Sequence, residues 1–85
     1  MTFEVKWTES SFKKLEKIDR VAQKRIVEKL DEAAADPFAV AKKLSGVSLY
    51  SIRIGNYRVI VSIEKQKMVV LVIDVGHRSK IYRNV

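Results

Sequence analysis

The 85-residue chain predicts an α+β domain: an antiparallel sheet of order β-α-α-β-β-β with a helical hairpin packed on one face. Three observations predict it. Apolar residues recur at helical spacing between Phe12 and Ala33, whereas after Leu49 they alternate or run together as they do in strands. The strand-like runs are joined by links so short that consecutive strands must lie antiparallel. Gly55-Asn56, set between two alternating runs, reads as a two-residue hairpin with glycine at the first central turn position.

The elements follow in order. Thr2 to Trp7 alternates polar with apolar, placing Phe3, Val5 and Trp7 on one face of a short strand. Thr8 is suited to N-cap the next helix, with Glu9 in its first turn and Phe12, Leu15 and Ile18 as its stripe. Asp19 caps a second helix whose stripe is Ala22, Ile26, Leu30 and Ala33, and Asp36-Pro37 ends it, because the residue before proline disfavours the helical basin. A connector from Phe38 to Ser48 leads to strands at Leu49 to Ile54, Tyr57 to Ile63 and Met68 to Val75. The last run is apolar on both faces, as in a central strand. Trp7, Phe3, Phe12 and Phe38 are expected in the core or lining a groove, and Tyr50 and Tyr57 beneath the sheet on the core side. No repeat or linker interrupts residues 1–85, which form one domain.

A chain of this size builds a single core and a shallow site rather than a deep cofactor cleft, so no cofactor is expected. Cysteine is absent, which removes disulfides and thiol nucleophiles. No apolar run approaches a membrane span and the first residues lack a signal-peptide core, so a cytoplasmic protein without a membrane partner is expected. The net charge is +7, which favours polyanionic partners. Residues 1–49 carry ten Lys/Arg against eight Asp/Glu, and residues 50–85 carry seven against two, so the excess belongs to the strand half. The mixed charges of the helices read as a solvated face.

Within that half the hairpin forces two cations together. If Ile54 opposes Tyr57, the next pair outward is Arg53 opposite Arg58, on the sheet face away from the helices together with Ser51. Like charges directly across a strand pair destabilise it unless an anion sits between them. The alternative is that both side chains splay into water with their charges screened. After the last strand comes Gly76-His77-Arg78-Ser79-Lys80-Ile81-Tyr82-Arg83, a cationic tail with one aromatic, able to fold over the same face. His77 is the only histidine, a side chain suited to acid or base work near neutrality and equally to a structural hydrogen bond.

Three segments carry a family resemblance: Lys43-Leu44-Ser45-Gly46, the run Leu49 to Ile60, and Val75 to Tyr82. Across nearly its full length the chain resembles the RelE/ParE toxins of type II toxin-antitoxin pairs. The resemblance implies a RelE-like fold and a cognate antitoxin protein as partner. In that superfamily the RelE branch cleaves mRNA in the ribosomal A site, which would make the ribosome and mRNA further partners, while the ParE branch inhibits DNA gyrase. Arg53, Arg58, Arg78 and Tyr82 match the catalytic pattern of the RNase branch, so an endoribonuclease is implied. Ser51 departs from that pattern, standing where it often carries a lysine.

Cleavage of RNA through its own 2′-OH requires a proton taken from that hydroxyl, a stabilised pentacoordinate phosphate and a proton given to the departing 5′-oxygen. Guanidinium forks match phosphate oxygens and keep their charge, which suits Arg58 and Arg78 to the scissile phosphate. Tyr82 is expected to stack on a base or to join in proton transfer, with packing as its structural alternative, and His77 to serve as acid or base. Arg53, Lys80, Arg83, Ser51 and Lys43 are the expected RNA- and phosphate-binding residues. The sequence shows no metal-ligand spacing, so the expected route is metal-free, through a 2′,3′-cyclic phosphate. Two other functions compete: a ParE-like gyrase inhibitor, and a degenerate module that binds RNA or antitoxin without catalysis.

Overall fold

A computed structural model describes residues 2–81, with side chains as far as Ser79. Strand β1 (Glu4–Trp7) leads into α1 (Glu9–Glu16) and α2 (Arg20–Ala33). A short helix α3 (Pro37–Val40) and a two-residue strand β2 (Lys42–Lys43) follow. Then come β3 (Tyr50–Ile54), β4 (Tyr57–Glu64), β5 (Val69–His77) and the turn of helix α4 (Arg78–Ile81). The five strands form one sheet in the order β1-β5-β4-β3-β2. The meander β3-β4-β5 is antiparallel, as its short links require, and β2 extends it antiparallel to β3. β1 runs parallel to β5, because the two helices carry the chain back before the sheet resumes, so the complete sheet is mixed.

The helices start where capping chemistry permits. The Thr8 side chain accepts from the Ser11 N–H at 3.1 Å, and Asp19 accepts from the Ala22 N–H at 3.1 Å. Gln23 on α2 donates its amide to the Ile18 carbonyl at 2.6 Å, meeting one of the acceptors left where α1 ends. Leu15, Ile26, Leu30 and Ala33 then pack onto Ile52, Ile54, Val59, Val61, Val70, Val72 and Val75. This is the expected stripe laid on the expected sheet face, and each fully buried aliphatic side chain contributes about 1.5–3 kcal/mol. Among the described residues no helix is long and apolar enough to cross a membrane.

Several details differ from the sequence reading. α2 stops at Ala33 and Pro37 begins α3 rather than merely ending α2, since a missing N–H costs nothing at a first helical position. Phe12 and Phe38 are 49% and 42% exposed, while Phe3 and Trp7 are the aromatics packed against the core. Phe12 and Phe38 stand edge-on to half-buried rings instead: Phe12 against Trp7, and Phe38 against both Phe3 and Tyr50. β5 runs on through Gly76 and His77, which join the ladder opposite Arg58 and Tyr57.

β5 also carries a bulge. Ile60 opposes Asp74 and Val61 opposes Val72, leaving Ile73 as the extra residue. The bulge shifts the alternation, so Val70, Val72 and Val75 all face the helices. The Val72 carbonyl at this point receives the Thr8 N–H at 3.2 Å and the Ser11 hydroxyl at 2.9 Å. Ser11 is fully buried, and its hydroxyl lies between Val72 and the Thr8 carbonyl, 3.0 Å away. Ser11→Ala removes a buried donor from both carbonyls, with an expected loss of about 1–3 kcal/mol in unfolding free energy. Denaturant titration followed by circular dichroism measures it, and an unchanged midpoint would dismiss the hydroxyl as a fastening of α1 to the bulge.

Candidate nucleic-acid interface

The two-residue turn carries positive φ at Gly55 (+58°) and not at Asn56, so only the first central position requires glycine. A Cβ placed there would also meet the Arg25 Nη1 at 3.4 Å, which marks α2 as lying against the turn. Ile54 opposes Tyr57 and Arg53 opposes Arg58. In such a hairpin the pair closing the turn is hydrogen-bonded, so the arginine pair is of the non-bonded kind, in which side chains stand closest. Two unit charges a few ångströms apart in water repel by about 1 kcal/mol, a cost the hairpin register imposes.

The two cations are held differently. Arg53 is exposed, whereas Arg58 is half-buried and donates from Nη1 to the Ser51 hydroxyl at 3.1 Å. Ser51 is only 4% exposed, so it lies beneath Arg58 rather than beside it in solvent. Across β5, Arg58 opposes Gly76, where no side chain competes for the same face. Leu44 and Ile60, with Leu49 and Ile73 against them, form a small apolar cluster on this side of the sheet. Residues 44–49 thus give the arginine face an apolar bed separate from the main core. Of the two acidic residues in the strand half, Glu64 lies at the far end of β4, and Asp74 is held by the Lys14 ammonium at 2.6 Å and the Val75 N–H.

The remaining expected residues fall in different places. Arg78 starts α4, and its N–H donates to the Asn56 carbonyl at 2.9 Å, which fastens this cation's backbone to the tip of the same hairpin. His77 opposes Tyr57, and the two rings meet edge-on at 5.9 Å on the helix side of the sheet, away from the arginine pair. Its Nδ1 lies 3.0 Å from the Ser79 hydroxyl. Lys43 opposes Tyr50 and so also takes the helix side, whereas Lys42 opposes Ser51 and shares the arginine face. Lys42 is the cation that the sequence reading passed over. Of Lys80 only the helical backbone is described, and Tyr82 and Arg83 lie outside the described residues. Among the described residues no three of His, Cys, Asp and Glu come together as a metal site would need.

This arrangement separates the two arginines by their effect on folding. Arg53→Ala relieves a like-charge contact at an exposed position, so the unfolding free energy should stay within about 0.5 kcal/mol or rise. Arg58→Ala strips the buried Ser51 hydroxyl of its bond and should cost about 1–3 kcal/mol. Paired denaturant titrations test the contrast, and equal effects would contradict the asymmetry.

Comparison with known proteins agrees with this layout. Residues 5–82 match the family described as ParE toxin of type II toxin-antitoxin system, parDE. A RelE-like toxin protein of Escherichia coli is 25% identical over 83 residues, spanning 94% of this chain and 87% of that protein. The toxin-antitoxin complex RelBE2 of Mycobacterium tuberculosis contains a chain that superposes with a TM-score of 0.84 at 23% identity, covering 92% of this chain and 100% of that one. The archaeal RelE-RelB complex of Pyrococcus horikoshii OT3 gives 0.80 at 28% identity, over 94% and 99%. With the strand order, the helical hairpin and the arginine-bearing turn in place, the match over residues 5–82 makes this chain a toxin of the RelE/ParE family of type II toxin-antitoxin systems.

Proposed function

We propose that this toxin is an endoribonuclease that cuts mRNA in the ribosomal A site, and that a cognate antitoxin holds it in check. The observation that carries the reading is the register-enforced pair Arg53–Arg58, with Arg78 fastened to the same turn. An anion between the two guanidinium groups turns a repulsive contact into an attractive one, and a phosphodiester has the oxygens to accept from both forks.

In the proposed chemistry Arg58, braced by Ser51, and Arg78 stabilise the charge that builds on the phosphate as the 2′-oxygen attacks. Arg53 and Lys42 steer the strand onto the face. The proton leaves the 2′-OH and another reaches the 5′-oxygen as the P–O bond breaks, giving a 2′,3′-cyclic phosphate and a free 5′-hydroxyl. Tyr82 is the proposed partner in proton transfer or base stacking. Lys80 and Arg83 extend the cationic path along the backbone. So shallow a face has few groups to hold RNA in line for attack, so the ribosome supplies the positioning.

The test is primer extension on mRNA in programmed ribosomes. Cuts confined to the A-site codon are expected, with free RNA of the same sequence left largely intact. Arg58→Gln should slow single-turnover cleavage by roughly 10²-fold, as loss of one preorganised donor does. Tyr82→Phe should cost a similar factor if its hydroxyl moves a proton and little if the ring only stacks. His77, facing the helix side, should tolerate His77→Gln with roughly twofold change or less. A second reading is favoured by the ParE description of the matching family: inhibition of DNA gyrase without chemistry. Loss of gyrase supercoiling activity in the presence of the chain, with mRNA uncut on ribosomes, would replace the first reading with the second.

A further inference from the structure

At one side the sheet ends in β1, whose outer edge carries no strand. The Glu4 N–H donates to the Met68 carbonyl at 2.7 Å and the Thr8 N–H to the Val72 carbonyl at 3.2 Å, so residues 4, 6 and 8 address β5. The backbone groups of Phe3, Val5 and Trp7 therefore point out of the sheet. Ala34 meets the first of these, accepting from the Phe3 N–H at 2.8 Å. Beyond it, no backbone group meets Val5 or Trp7 along that edge among the described residues. Residues 3–7 run aromatic, acidic, apolar, basic, aromatic, the same in reverse except for the sign of the charges. Glu4 and Lys6 are exposed on the face away from the helices, and neither joins an ion pair among the described residues. On the helix side Val5 and Trp7 are half-buried, and Phe12, 49% exposed, stands edge-on to Trp7 at 6.5 Å. The edge is thus open, apolar on one face and charged on the other.

We infer that the β1 edge is an interface between two copies of this chain, paired antiparallel about Val5. In a two-fold antiparallel pair one residue faces its own counterpart. If that residue were Glu4 two carboxylates would meet, and if it were Lys6 two ammonium groups would meet, both in non-bonded pairs where side chains stand closest. Centring on Phe3 or Trp7 leaves most of the strand unpaired. With Val5 at the centre, Glu4 faces the partner's Lys6 and Lys6 faces the partner's Glu4, so the same close spacing becomes attractive. Val5 then exchanges backbone bonds with its counterpart, and the Trp7 N–H reaches the carbonyl of the partner's Phe3. Charges on an edge strand ordinarily prevent self-pairing. Here they forbid the neighbouring registers and favour one. Directly opposed residues project to the same face, so the helices of both copies lie on one side of a continuous sheet and both arginine faces stay open on the other. Two chains of net charge +7 repel each other, and a strand of four residues makes a small interface, so the pair belongs to the weak, concentration-dependent class.

Sedimentation equilibrium of the purified chain, from about 1 µM to 1 mM, should show the mass rising from one copy towards two. Over the same range the Val5 amide should come to exchange roughly tenfold more slowly. Glu4→Lys and Lys6→Glu, each at an exposed position, should leave thermal unfolding unchanged and weaken self-association by roughly tenfold or more. The two variants mixed together, or both changes in one chain, should restore it, because each then sets opposite charges across the join. A general charge effect would move the single variants in opposite directions, since one raises the net charge and the other lowers it. A chain that stays monomeric throughout overturns the interface, as does a dimer in which Val5 exchanges as in the monomer. Loss of association in both single variants without rescue on mixing overturns the register. A monomer whose Val5 amide is slowed only by the antitoxin gives the edge to that partner and overturns the second copy.

Discussion

A turn of two residues leaves its flanking strands no freedom of register, and the arginine face of this toxin depends on that rigidity. With positive φ confined to Gly55, Ile54 closes on Tyr57 and Arg53 must face Arg58. The same closure decides which backbone groups of β3 point towards β4 and which point out of the sheet. One turn thus governs both a side-chain cluster on one face and a row of donors and acceptors on the edge. A slip of a single residue would send every arginine to the core side and every isoleucine to water, so the buried Ile52, Ile54 and Val59 hold the register as firmly as the turn does.

The far side of the sheet is fixed by a different device. The bulge at Ile73 lets β5 present Val72 and Val75 to the same core although they are three residues apart. It also frees a carbonyl that the start of α1 then occupies through Thr8 and Ser11. The Lys14–Asp74 bridge lies just beyond, partly exposed, and counts for little beside the buried serine. The helical hairpin is therefore attached to the sheet by polar bonds at one end and by aliphatic packing along its length.

Much of this was legible before any coordinates. The two N-caps, the Ile26-Leu30-Ala33 stripe and the Arg53–Arg58 pairing follow from short-range rules that tertiary contacts did not override. β2 was not legible, because two lysines in succession carry no alternation, and without its register Lys42 and Lys43 could not be assigned to faces. Gly76 reads as a strand ender, which hid the fact that His77 continues β5 and turns towards Tyr57. The burial of Ser51 was equally hidden: a small polar residue suits either solvent or a covered position, and only Arg58 lying across it decides which. Of the two places left open for Phe12 and Phe38, core or groove lining, their exposure leaves out the core, and neither spacing nor sequence says how much protein lies above a ring.

The serine under Arg58 carries a consequence of its own. A lysine at that position would offer a flexible ammonium with four rotatable carbons, adding charge and also adding conformations that an incoming anion must suppress. A short hydroxyl adds no charge, but it ties down one corner of the neighbouring guanidinium and leaves the remaining N–H groups of the fork in a narrowed set of directions. One cation of the arginine face has thus given up part of its entropy before any ligand arrives. Preorganisation of this kind is insensitive to ionic strength, whereas the attraction of an additional mobile charge is screened by salt.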